Sequence, residues 1–142
     1  MINKKTLVSE MISQHRNLQK EVESVGKLLE VKSIDSGEIV KGLAQFRIDL
    51  MEHLGLENEY FYVELLKNMK DKGQDTSKTE QFIAEMVDIG KVVVTFLDKY
   101  NKADSIQNDV SEFGEEFKRI AETLTLRVES EEAGVYSYWG LF

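Results

Sequence analysis

The chain has 142 residues, a formal charge of −8 and nine glycines, with neither proline nor cysteine. That length makes one ordinary domain with a sizeable core, and the missing cysteine excludes disulfides, thiol nucleophiles and cysteine-held metals. The acidic balance, with no basic cluster against it, speaks against nucleic acid or anionic lipid as a partner.

Apolar residues recur at alternating steps of three and four, the period of a helix packed against others. A first helix is expected over 4–31, with Val8, Met11, His15, Leu18, Val22, Val25 and Leu29 on one stripe. Its N-terminal stretch, MINKKTLVSEMISQH, holds no apolar run of signal-peptide length, and no segment approaches a membrane span, so a cytoplasmic location is expected. The break SIDSGEI places Asp35 three residues before Glu38, a capping-box spacing. A second helix comes next over 36–70, its stripe running Ile39, Leu43, Phe46, Leu50, His53, Glu57 and Tyr60. Beyond Gly73, Ser77 and Glu80 repeat the capping spacing and open a third helix over 77–101, carrying Phe82, Met86, Ile89, Val93, Phe96 and Tyr100. NKADSIQ leads into a fourth, over 105–133, with Ile106, Val110, Phe113, Phe117, Ile120, Leu124, Arg127 and Glu131. The aromatic tail GVYSYWGLF is expected to cover one end of the core, through Tyr138, Trp139, Leu141 and Phe142. Short links between long helices favour an all-α, up-down-up-down antiparallel four-helix bundle, one domain over 1–142.

The halves resemble each other. HLGLENEYFYVEL from His53 can be laid on RVESEEAGVYSYW from Arg127, so that Glu57 falls on Glu131 and Tyr62 on Tyr136. Upstream, His15 falls on Met86.

Five polar residues occupy stripe positions that hydrophobic packing would give to leucine: His15, His53, Glu57, Arg127 and Glu131. A carboxylate in an apolar core is costly unless a positive charge or several donors meet it. Two imidazoles and two carboxylates suit a single iron, manganese or zinc ion. His53 and Glu57, four apart, lie on one helix face. The residues leave a second account open, in which Arg127 pairs internally with Glu57 or Glu131 and satisfies them without metal. A guanidinium cannot itself ligate a cation.

This order of residues resembles the hemerythrin-like, or HHE cation-binding, family over about residues 8–138. The family pattern has a histidine on the first helix, H-x-x-x-E on the second, a histidine on the third and another H-x-x-x-E on the fourth, around two non-haem irons. The resemblance implies His15 as the first-helix ligand, His53 and Glu57 as the second-helix pair, and Glu131 as the fourth-helix carboxylate. Met86 and Arg127 stand where the pattern has histidines, and both departures fall on the same half of the repeat. The resemblance therefore implies one divalent ion, iron ahead of manganese or zinc, with oxygen or a small anion as its exogenous ligand. The alternative it leaves is a metal-free bundle with an Arg–carboxylate network, acting in interaction or regulation. A complete diiron carrier is not expected.

No nucleophile arrangement, phosphate loop or dinucleotide fingerprint is present, so binding is expected rather than catalysis. Glu59, Glu64, Glu129 and Glu132 are expected to face solvent or the bundle edge, and Glu85 is the candidate for a substitute ligand beside Met86. Tyr60, Tyr62 and Tyr136 read as packing residues with hydroxyls available to carboxylates around a metal. Monomer and homodimer both remain open.

Overall fold

In the computed structural model, which describes residues 3–139, the apolar stripes become helices, and no strand forms among these residues. Helix α1 spans Leu7–Leu28 and α2 spans Ser36–Leu56. A π-helical turn, Glu57–Phe61, joins α2 to α3, Tyr62–Asp71. Then come α4, Ser77–Lys99, the short α5, Ala103–Gln107, α6, Val110–Ala133, and the short α7, Val135–Trp139. No helix among the described residues is long and apolar enough to cross a membrane.

The ends obey local chemistry. Asp35 caps α2 as expected, accepting from the Glu38 amide at 3.2 Å and satisfying one of the amides a helix start leaves unpaired. Gly73, at φ 69°, ends α3: its N–H donates to Lys70 O while that of Gln74 donates to Met69 O, the paired closure that a left-handed residue permits. Ser77 does not cap α4; its amide and hydroxyl both bond Asp75 Oδ1, and Thr76 takes the cap position. The expected fourth helix is broken, because Asp109 accepts from the Glu112 amide at 2.9 Å and starts α6 afresh after α5.

The π turn is the largest departure from the expected second helix. Its extra residue rotates the succeeding turns, so that Phe61 and Tyr62 are both buried and Tyr60 only half so. A continued α-helix would have turned adjacent residues to different sides. The register change then carries through Leu65 and Met69, which stay in the core.

Two apolar clusters result. The larger includes Leu18, Val25, Ile39, Leu43, Phe46, Leu50, Val93, Phe96, Phe113 and Phe117. The smaller joins Leu7, Met11, Phe61, Tyr62, Leu65, Met69, Val135 and Tyr136. Each fully buried leucine or phenylalanine contributes about 1.5–3 kcal/mol. Along α1 His15 stands between the clusters, and His53 with Glu57 does so between Leu50 and Phe61. The tail meets the expectation up to Trp139, whose Nε1 donates to Lys4 O while its ring packs 5.2 Å from that of Phe61. Tyr138 is exposed instead, and Leu141 and Phe142 lie outside the described residues.

Candidate metal centre

Between the clusters lies a polar layer with almost no access to water. His15 from α1, His53 from α2, Glu57 from the π turn and Glu131 from α6 are each at most 3% exposed. One ligand atom from each lies within 4.8 Å of all the others. His15 Nε2 is 3.1 Å from His53 Nε2 and 3.0 Å from Glu131 Oε1, and His53 Nε2 is 3.4 Å from Glu57 Oε1.

The surrounding bonds fix which atoms face inward. His15 Nδ1 lies 2.8 Å from Glu132 Oε2, a carboxylate oxygen that only accepts, so Nδ1 carries the proton. His53 Nδ1 lies 2.7 Å from Gln14 Oε1, with the same consequence. Both Nε2 lone pairs therefore point into the site, towards each other. Tyr62 donates to Glu131 Oε2 at 2.5 Å, and Tyr136 donates to Glu57 Oε2 at 2.7 Å. Each carboxylate thus has one oxygen held by a phenol and the other turned inward. Glu57 Oε1 finds no hydrogen-bond donor among the described residues.

Burial and neighbouring charge bias the titrations accordingly. Burial, reinforced by repulsion from His15, brings His53 down to about 4, which keeps it neutral at physiological pH. Burial also raises Glu57 well above the usual carboxylate range, and the neighbouring Glu131 raises it further. Burial pushes Glu131 the same way, but bonds from His15, Glu57 and Tyr62 outweigh it and hold this carboxyl at about 2. The tyrosines are raised by burial and by the two carboxylates, so they remain phenols and donate.

Two inward imidazole nitrogens and two inward carboxyl oxygens make a centre that a cation can bridge once any shared protons leave. An ion about 2.1 Å from each nitrogen or oxygen puts its ligands roughly 3–4 Å apart, and the short separations here match that. All four ligand atoms lie within 4.8 Å of one another, close to the roughly 4.2 Å that separates ligands on opposite sides of such an ion. The residues therefore fit a metal ion.

The internal salt bridge from Arg127 to Glu57 or Glu131, on which the metal-free alternative rests, is not formed. The Arg127 guanidinium lies over the Phe82 ring at 4.1 Å and donates to Met86 Sδ, Glu85 Oε2 and Phe82 O. Its aliphatic stem occupies the interior face while its charge leaves it. Glu85 is half exposed and serves that pair, well apart from the buried cluster. Glu64, expected at the edge, pairs with Lys4 at 3.2 Å, and Glu59 and Glu129 face solvent.

Glu132 adds most to the sequence reading. Expected at solvent or the bundle edge, it lies half-buried at that edge, where it bonds His15 Nδ1 and is gripped by Arg16. The adjacent pairs His15–Arg16 and Glu131–Glu132 held that signal, since opposed basic and acidic neighbours can meet in parallel. Gln14 was missed without any such signal. Tyr62 and Tyr136 were visible in the repeat, where they align, but their hydroxyls bond the central carboxylates directly.

Fold and site together define an all-helical protein with a buried cluster of two histidines and two glutamates, suited to a cation. The family model described as the hemerythrin HHE cation-binding domain matches residues 6–139, and the chain belongs to that family. No curated protein and no solved structure matches the chain.

Proposed function

We propose that this chain is an up-down-up-down antiparallel four-helix bundle that holds one divalent metal ion, iron by preference, through His15, His53, Glu57 and Glu131. One observation carries the reading: two Nε2 lone pairs oppose each other at 3.1 Å beside a buried carboxylate oxygen that has no donor. A metal ion or protons must fill that need: burial works against a proton on His53 and favours one on Glu57, which metal binding would release. The mixed imidazole and carboxylate set suits Fe(II), Mn(II) and Zn(II) alike. Iron is preferred because it adds the ability to bind a small exogenous molecule such as oxygen.

The centre is mononuclear on this reading. Met86 and Arg127 offer no ligand to a second divalent ion, and Arg127 directs its donors to Glu85, Met86 and Phe82. The role is binding or sensing, with His15 and His53 held in fixed tautomers by Glu132 and Gln14. A metal-free interaction protein is the weaker reading, since the counter-charge it required from Arg127 points elsewhere.

Metal analysis after anaerobic loading with Fe(II) tests this. About one iron per chain is expected, with His53→Ala and Glu57→Ala each abolishing retention through gel filtration. A chain that retains no iron, manganese or zinc under any loading overturns the proposal; two ions per chain overturn the mononuclear part.

A further inference from the structure

The outer surface carries a hollow that the buried cluster does not use. It is open to solvent and encloses about 360 Å³ between α1, the last turns of α2 and the π turn. Met51 and Leu56 give it apolar walls, Tyr60 lines it from the π turn, and Glu52 and Glu59 border it with carboxylates. Neither carboxylate pairs with a cation or accepts a hydrogen bond among the described residues, and no lysine or arginine lines the hollow. Gln14 reaches it from α1; its Oε1 accepts from His53 Nδ1, while its amide N–H groups meet no acceptor among the described residues. Gly55 keeps the floor low. Its backbone is ordinary helix, and a Cβ built on it meets nothing within 4 Å, so no neighbour requires a glycine there. Glycine weakens a helix relative to alanine, and packing gives no reason for that loss here. The π turn completes the wall by leaving Tyr60 only half-buried.

We propose that this hollow is a docking site for an arginine side chain carried on a basic segment of a partner protein. A guanidinium is planar, presents its donors in a fork that fits carboxylates, and stacks on aromatic faces. Glu52, Glu59 and Tyr60 answer those features together. The aliphatic stem of the arginine suits Met51 and Leu56. The Gln14 amide adds a donor for a peptide carbonyl beside that side chain, a group that a free polyamine lacks. The net charge of −8 draws a basic partner towards the chain without choosing a face, and the hollow makes the choice. This docking site is independent of metal at the buried cluster, so either can fail without the other.

The experiment titrates isotope-labelled, metal-free full-length protein with the blocked tripeptide Ala-Arg-Ala and follows amide signals by NMR. Saturable shifts are expected at the backbone amides of Glu52, Gly55 and Glu59 and at the Gln14 side chain, in the millimolar range. Glu52→Gln with Glu59→Gln should weaken binding by about tenfold or more, as the loss of charge-assisted bonds implies. Glu115→Gln with Glu122→Gln removes the same charge from exposed positions on α6 and should leave binding nearly unchanged. Gly55→Leu should fill the hollow and abolish binding in a chain at least as stable, since leucine is the better helix former. Blocked Ala-Lys-Ala and free spermidine should both bind more weakly than the arginine peptide. Shifts that never saturate, or that scatter over the acidic surface, overturn the proposal, as does equal weakening by the two charge-removing pairs. Tighter binding of spermidine than of the peptide overturns it too, and would assign the hollow to a small polycation. If Gly55→Leu fails to fold, the two matched pairs decide.

Discussion

His15 is held from the rim of the fold: Glu132 accepts from its Nδ1, and Arg16 fixes Glu132 in turn with two donors. Glu132→Ala frees the ring to rotate and removes the negative partner that makes Nε2 a better electron-pair donor. Metal affinity is expected to fall about 10–100-fold, as is usual when such supporting partners are lost, measured by competition against a chelator. A different pair adds to the pH response of the metal-free chain. Glu21 Oε2 is buried with no donor among the described residues, and Asn17 reaches both Glu21 and Asp49. Burial, with Asp49 beside it, raises Glu21 from 4.5 to about 7. A carboxyl raised on folding contributes stability fully below its unfolded value and loses it as pH rises through the folded one. Thermal stability should therefore decline between pH 5 and 8 in the parent chain, and less steeply in Glu21→Gln. Of the site itself, His15, His53, Glu57 and Glu131 were legible because a stripe reports which face a Cα occupies. Arg127 misleads for the same reason: the stripe places its Cα, while a long side chain carries its charge elsewhere.

The two short helical elements at the site show the limits of periodicity. Nothing in ENEYF announces a π turn, yet without that extra residue Tyr62 would not reach Glu131. A stripe counted in threes and fours assigns the interior to Tyr60, because it assumes an unbroken α-helical period. The junction from α6 to α7 depends on Gly134, whose amide donates to Ser130 O at 2.8 Å. A Cβ added there would stand 2.8 Å from that same carbonyl oxygen, so the chain must shift. Gly134→Ala is expected to destabilise the protein by roughly 1–3 kcal/mol, within the usual range of damaging substitutions. Because α7 carries Tyr136 onto Glu57, the same variant should weaken iron retention, and chemical denaturation with parallel metal analysis checks both effects.

Across the whole molecule, the helical stretches and most of the core could be read from spacing, since long apolar stripes overdetermine a packed helix. The polar layer divides that core into two blocks. In the metal-free chain this layer has its phenol–carboxylate bonds but also opposed lone pairs and an oxygen without a donor among the described residues, so it joins them less firmly than a filled site would. An ion bound there ties α1, α2, the π turn and α6 at one point, and at a hundredfold excess over its dissociation constant stabilises the folded state by about 2.7 kcal/mol. Hydrogen exchange should expose the difference. Before loading, amides of α3 and α7 are expected to open at lower free energy than those around Phe46 and Phe113; after loading, the two groups should converge. Opening energies that already coincide in metal-free protein would contradict this picture. With an ion bound, the buried seam would work as a rivet, and the supply of that cation, more than sequence, would decide whether the chain melts in one event or peels apart in two.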